Sequence, residues 1–163
     1  MSAHRWLVVP MLVCGLVSAG EQGASASAPT ISPATIGGCH GHANTPHSAK
    51  DQYGDDGIGY DGYMDCVGDF GSQRVYVKLQ EKDYFGHFYD RTSLACNGAT
   101  VSSHAYIGRW VSCVQALSGT YRTYFQGTAY PPGVPPETMA ATSLSANMCA
   151  GYLARVHRSA ARS

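Results

Sequence analysis

Arg74-Val75-Tyr76-Val77-Lys78-Leu79-Gln80 is the segment that decides the predicted fold, because its apolar and polar side chains alternate. Val75, Val77 and Leu79 share one side of an extended chain, while the basic and amide side chains face the other way. A period of two is typical of a β-strand with one buried face. We therefore predict that this segment is a strand with one buried face.

Further strands are predicted on both sides of the cysteines in the middle of the chain. Residues 101–107 alternate with His104 facing outward, and residues 121–126 alternate with Tyr121, Thr123 and Phe125 facing inward. Residues 110–117 and 84–89 are less regular candidates. Short strands that are separated by turn signals roughly every 8 to 12 residues favour an antiparallel β-sandwich or small barrel over a βαβ fold. The prediction is all-β, with the sandwich core at residues 73–130.

The first 26 residues resemble a secretory signal peptide. Arg5 precedes an apolar run over residues 6–19 that is shorter than a membrane span, and Ala24-Ser25-Ala26 and Ala26-Ser27-Ala28 both fit a cleavage site. We expect an exported protein that is secreted to the outside of the cell and has no membrane span in its mature form.

The segments that flank the core are predicted to be less regular. Residues 27–72 form a lead rich in glycine, aspartate and tyrosine, which we interpret as a loop held by Asx turns. Residues 131–163 begin with the proline-rich linker Pro131-Pro132-Gly133-Val134-Pro135-Pro136, which should end the sheet. Leu144, Met148 and Tyr152 then recur at helical spacing, so we predict a short C-terminal helix with Ser143 as N-cap, or else an irregular tail.

Export places the cysteines in an oxidising compartment, where disulfides form. Loss of Cys14 with the signal peptide leaves an odd set: Cys39, Cys66, Cys96, Cys113 and Cys149. Cys96 with Cys113 is the preferred pair, since it would tie two sequential strands. Cys39 with Cys66 is the next, since it would pin the lead. Cys149 is then left over, and a bond between Cys66 and Cys149 stays open as an alternative.

Two groups in the lead are candidate binding sites. His40, His42 and His47, with a Cys39 thiolate, have the ligand chemistry of a copper or zinc site, although the spacing matches no known zinc finger. The second group is a set of tyrosines spaced among carboxylates, which would form a contact surface if exposed: Tyr53, Tyr60 and Tyr63.

The sequence excludes some function classes and leaves catalysis open. The segment 30–69 has one lysine against six aspartates, whereas residues 70–163 have nine basic and four acidic residues. This asymmetry includes no basic patch with stacking aromatics, so we expect no nucleic-acid partner. No Gly-x-Ser-x-Gly or His-Glu-x-x-His motif occurs, and Ser102-Ser103-His104 is the nearest approach to a catalytic pattern.

Part of the core resembles small exported β-sandwich proteins of high-GC Gram-positive bacteria. The resemblance lies in Val77-Lys78-Leu79-Gln80, Cys96, Cys113 and Gly119-Thr120-Tyr121-Arg122-Thr123, about a third of the chain. It implies a sandwich with a Cys96–Cys113 disulfide and implies no activity. The leading hypothesis is a non-enzymatic extracellular binding module for an unidentified ligand or protein. The alternatives are a copper- or zinc-binding protein and a secreted hydrolase or antibacterial toxin.

Overall fold

The computed structural model describes residues 34–36, 38–68 and 70–152, which form two antiparallel sheets and one short helix, α1 (Cys113–Ala116). In chain order the strands are β1 (Ala34–Ile36), β2 (Cys39–Ala43), β3 (His47–Lys50), β4 (Asp56–Cys66), β5 (Ser72–Lys82), β6 (Phe88–Asp90), β7 (Ala95–Cys96), β8 (His104–Ser112), β9 (Gly119–Tyr130), β10 (Glu137–Thr142) and β11 (Ala146–Met148). The predicted all-β, disulfide-linked class is confirmed.

The first sheet is organised around β4. Strands β2 and β3 pair with successive parts of one edge of β4, and β8 pairs with the other edge along nine residues. Strand β1 extends the sheet beyond β2. Because β4 is central, the side chains on its two faces determine both the core and the outer surface of this sheet.

The second sheet is organised around β5 and β9, which pair along ten residues. Strands β6 and β7 flank β5, and β10 and β11 flank β9. The predicted phases of both central strands are confirmed, because the inner side chains are all fully buried: Val75, Val77, Leu79, Tyr121, Thr123 and Phe125.

The two sheets pack face to face by fitting large side chains of one sheet onto glycines of the other. A Cβ at Gly41 or Gly62 in the first sheet would lie 2.6 Å from the Phe125 ring, and a Cβ at Gly127 would lie 2.6 Å from the Met64 sulfur. Only glycine leaves this space, so these positions set how closely the sheets approach.

The part of residues 27–72 that the structure describes is not an irregular lead, which corrects the sequence-based prediction. Strands β1 to β4 lie in this segment and make up four of the five strands of the first sheet. The glycines that suggested a loop lie inside β4, where large neighbours occupy the space of a side chain. Among the described residues of this segment, an Asx turn is present at Asp51, whose carboxylate accepts hydrogen bonds from the Tyr53 and Asp55 amides.

The segments on the C-terminal side also differ from the prediction. The proline-rich linker does not end the sheet, because residues 131–136 connect β9 to β10, which pairs back onto β9. The strand predicted at 110–117 gives way to α1 after Ser112, whose hydroxyl caps the helix by accepting from the Gln115 amide.

The predicted C-terminal helix is absent from residues 143–151. Ala146–Met148 is β11, and Ser143 is not an N-cap, since its buried hydroxyl accepts a hydrogen bond from the Thr123 amide at 2.9 Å. Pairing with β9 outweighs the helical spacing because it satisfies the backbone of both segments. The part of the prediction after Tyr152 lies outside the described residues, as does the predicted signal peptide.

The disulfides confirm one predicted pair and correct the other. Cys39 and Cys66 face each other across β2 and β4 and are bonded. The Cys96–Cys113 pair is wrong, because Cys113 is bonded to Cys149. Cys96 lies on β7 in the second sheet, whereas Cys113 follows β8 in the first, and Cys96 belongs to a disulfide whose partner lies outside the described residues. Within the described residues, no helix is long and apolar enough to cross a membrane.

Candidate functional site

Polar and aromatic side chains line the side of the first sheet that faces away from the second. Alternation along β4 sends Ile58, Met64 and Cys66 into the core and the intervening residues outward. We call this side the outer face and define it by the residues that β2, β3, β4 and β8 bring together: His40, His42, His47, Asp61, Tyr63, Asp65, His104, Tyr106 and Trp110.

Glycines let aromatic rings lie flat on the outer face. A Cβ at Gly57 would be 2.2 Å from the Trp110 ring, and one at Gly59 would be 2.5 Å from the His47 ring. The indole N–H of Trp110 is enclosed and has no hydrogen-bond partner within the described residues. Packing on glycine, and not a hydrogen bond, therefore holds this ring.

Asp61 lies at the centre of the outer face, yet its side chain is only 11% exposed. The Asn44 side chain donates a hydrogen bond of 2.5 Å to its carboxylate, and His47 Nδ1 lies 3.9 Å from the same group. A buried carboxylate requires partners of this kind because removing its hydration is unfavourable. Strands β2 and β3 supply them, since Asn44 and His47 lie at the junction between these strands.

Tyr106 closes the other side of this carboxylate. Partial burial raises the pKa of the Tyr106 hydroxyl above its usual value, and the charge of Asp61 and its hydrogen bond with this hydroxyl act in the same direction. All three effects favour the neutral form of the Tyr106 hydroxyl, which can donate a hydrogen bond to the Asp61 carboxylate. Asp61 is thus held between an amide on one strand edge and a phenol on the other.

An open groove of about 620 Å³ lies around Asp61. Gly59 and Gly108 form part of its floor, and Tyr106 and Trp110 of β8 line it opposite His47 of β3. Its volume is within the range of small-molecule sites, roughly 300–1,000 Å³, and its lining combines the aromatic residues Tyr106 and Trp110 with ionisable residues such as Asp61 and Asp51.

A second cluster lies further along the outer face. The Tyr63 ring is between His42 and His104, with ring centroids 5.3 Å and 5.6 Å apart. His104 Nδ1 is 2.6 Å from the Asp65 carboxylate, which orients the imidazole. In the described part of the chain, no Ser, Thr or Cys side chain hydrogen-bonds this imidazole, so the geometry does not assemble a nucleophile and base.

The predicted metal ligands share the outer face but do not converge. His42 is opposite Tyr63 and His47 is opposite Gly59, which separates the two histidines by about 13 Å at ~3.3 Å per residue. Cys39 is in a disulfide and supplies no thiolate. Over residues 38–68 and 70–152, no three His, Cys, Asp or Glu side chains are arranged to hold a metal ion. The copper or zinc site stays a prediction.

The three tyrosines also do not form one surface. Tyr53 is on the turn before β4 and is exposed, Tyr60 faces the core and is 4% exposed, and Tyr63 is on the outer face. Tyr60 and Tyr63 are an odd number of residues apart on one strand, so their side chains lie on opposite faces. Tyr63 belongs to the cluster with His42 and His104, whereas Tyr60 contributes to the lining of the groove around Asp61.

Sequence reasoning missed the residues that form the groove: Asn44, Asp61, Tyr106 and Trp110. A signal was present, because residues 56–66 alternate between an apolar set headed by Ile58 and a set of glycine, aspartate and tyrosine. That alternation predicts a strand, but it is obscured by the high glycine content. Comparison with models of protein families, curated proteins and solved structures found no match. The resemblance to exported Gram-positive proteins therefore stays a prediction.

Proposed function

We propose that the chain is an exported binding module that holds a small ligand in the groove around Asp61. The observation that carries the proposal is the carboxylate itself, which lies on the outward side of a central strand but is 11% exposed and fixed by Asn44. An aspartate on an outward strand position would be more favourable in water. Its hydrogen bonds with Asn44 and Tyr106 fix a carboxylate acceptor beside the aromatic rings of the groove, where a ligand donor can reach it.

The lining of the groove indicates the chemistry of the ligand. Trp110 and Tyr106 present ring surface, while Asp61 presents carboxylate oxygen, so the groove complements a ligand with a flat apolar side and hydrogen-bond donors along its edge. Sugar rings combine these two properties. Arg109 and Lys50 also line the groove, but both already donate within the chain, Arg109 to the Gly108 and Cys96 carbonyls and Lys50 to the Asp56 carboxylate.

Export is part of the proposal, and the disulfides support it. Cys39–Cys66 and Cys113–Cys149 are bonds of a kind that persists in oxidising compartments.

Calorimetric titration with chitotriose, cellotriose and maltotriose tests the proposal. We expect saturable heat with at least one of these sugars, and an affinity about tenfold lower in Asp61→Asn, which keeps the shape of the side chain and removes its charge. Asp55→Asn, in the exposed turn before β4, is the matched control and should bind as the wild type does. If the Asp61→Asn variant and the wild type bind the sugar with equal affinity, the groove is not the binding site.

A further inference from the structure

The hairpin that joins β5 to β6 holds two aromatic side chains in solvent. Tyr84 is 98% exposed and Phe85 is 80% exposed, and their rings contact each other edge to face with centroids 5.7 Å apart. The turn beneath them is fixed, because the Asp83 carboxylate accepts from the His87 amide at 2.7 Å and the Asp83 amide donates to the His87 carbonyl at 2.8 Å. The pair is therefore presented by a closed turn.

Two aliphatic side chains are exposed at the same end of the second sheet. Val114 and Leu117 belong to α1 and the residues after it. Arg91 ties this segment to the end of β5, since its guanidinium group is 3.5 Å from the Glu81 carboxylate and donates to the Gln115 carbonyl. We call Tyr84, Phe85, Val114 and Leu117 the apolar end.

Leu117 ends α1 in a strained backbone conformation, which is held by hydrogen bonds from its amide to the Cys113 carbonyl and from the Tyr121 hydroxyl to its own carbonyl. Its φ of 67° and ψ of −178° fall in a region that is almost restricted to glycine. The side chain is exposed, so burial in the core does not offset the strain. Leu117 is therefore a half-exposed apolar side chain on a segment whose backbone is fixed.

The charges around the apolar end leave one lysine unpaired within the described residues. Glu81 is 3.5 Å from Arg91 and Asp90 is 2.7 Å from Lys78, and both are ion pairs, whereas Asp83 is 3.5 Å from His87, which is an ion pair only while the imidazole is protonated. Lys82 is exposed and has no ion pair in the described part of the chain. The end therefore combines apolar side chains with one available cation.

We infer that the apolar end inserts into the surface of a lipid bilayer that contains anionic headgroups. The side chains protrude from two neighbouring turns and enclose no groove, so they suit a fluid phase that closes around them. Tyrosine and phenylalanine are stable at the depth of the headgroups, and Lys82 complements an anionic lipid. Contacts of this size give weak, reversible attachment.

Co-sedimentation of the full chain with vesicles tests the inference, using phosphatidylcholine alone and equal parts of phosphatidylcholine and phosphatidylglycerol. We expect partitioning to the mixed vesicles to fall about tenfold or more in the Tyr84→Ala/Phe85→Ala variant, because two interfacial side chains are lost. Lys82→Gln should weaken partitioning to the mixed vesicles only. Tyr53→Ala removes a tyrosine that is 81% exposed on another turn, and should partition as the wild type does.

Leu117→Gly separates binding from folding. Glycine tolerates the local backbone, so the melting temperature should stay the same or rise while partitioning falls. Wild-type chain that does not sediment with either vesicle, or a double variant that sediments as the wild type does, would overturn the inference. Capture of a protein through Tyr84 and Phe85 without vesicle binding would overturn it equally, since the surface would then be a protein contact.

Discussion

The Asn44 side chain donates a hydrogen bond of 2.5 Å to the carboxylate of Asp61, which is the central residue of the outer face. Asn44 follows β2 directly, and its backbone amide also donates to the Asp61 carbonyl at 3.0 Å. One residue therefore satisfies both the backbone and the side chain of Asp61. This double contact fixes the carboxylate at the groove and also closes the junction between β2 and β3.

Asn44→Ala should lower the free energy of unfolding by about 1 to 3 kcal/mol, because it leaves a largely buried carboxylate without its amide donor. Urea denaturation followed by circular dichroism measures the change. Gln52→Ala, in the exposed turn before β4, is the control and should have little effect. A midpoint for Asn44→Ala equal to that of the wild type would show that Asp61 does not depend on this bond.

Gly57→Ala should destabilise the protein by about 1 to 3 kcal/mol, since the new methyl group would overlap the Trp110 ring and force it to move. The chain has two tryptophans, and Trp6 lies in the predicted signal peptide. Tryptophan fluorescence of the processed protein therefore reports the movement of Trp110. Gly98→Ala is the matched control, since a Cβ there has no neighbour within 4 Å. Unchanged fluorescence and stability in Gly57→Ala would contradict the packing of this ring on glycine.

The Tyr121→Phe variant should lose less of its free energy of unfolding between neutral and alkaline pH than the wild type does. Burial, followed by the charge of Glu81, raises the pKa of Tyr121 to about 12. The folded state therefore favours the neutral hydroxyl, and this contribution is complete below about pH 10 and is lost as the pH rises toward 12. The hydroxyl donates to the Ala116 and Leu117 carbonyls, so the variant should also be less stable at neutral pH.

Chemical denaturation of the wild type and Tyr121→Phe at a series of pH values tests this expectation. Tyr89, Tyr106 and Tyr124 also have raised pKa values, so part of the alkaline decline should remain in the variant. If the two proteins lose stability in parallel above pH 10, the Tyr121 hydroxyl is not the group responsible.

Cys113→Ser/Cys149→Ser should lower the free energy of unfolding by about 4 kcal/mol or less, because this disulfide closes a long loop in the unfolded chain. The two cysteines are 36 residues apart in the sequence. Denaturation without reductant measures the loss, and a peptide map under the same conditions should recover the 113–149 and 39–66 pairs. A map that joins Cys96 to Cys113 would restore the sequence-based pairing and contradict the structure.

The central strands β5 and β9 of the second sheet were predictable from sequence, as was the first half of β8, whereas β10, β11 and the strands β1 to β4 were not. Val75, Val77 and Phe125 belong to strands whose inner positions are apolar, so their period of two is visible. Strand β4 uses Gly57 and Gly59 on its outer face because Trp110 and His47 occupy the space, and such glycines resemble a loop in the sequence. The contacts that distinguish Asp61 from the neighbouring aspartates come from Asn44 and from β8, and both are distant from Asp61 in the sequence.

The most direct test of the proposed binding function is an NMR titration of isotopically labelled protein with the trisaccharide that gives the largest heat. We predict saturable shifts of the Asp61, Tyr106 and Trp110 signals in the wild type and in Asp55→Asn, and their loss in Asp61→Asn. If none of the sugars shifts these three residues, or if the shifts persist unchanged in Asp61→Asn, the groove around Asp61 is not the binding site proposed for it.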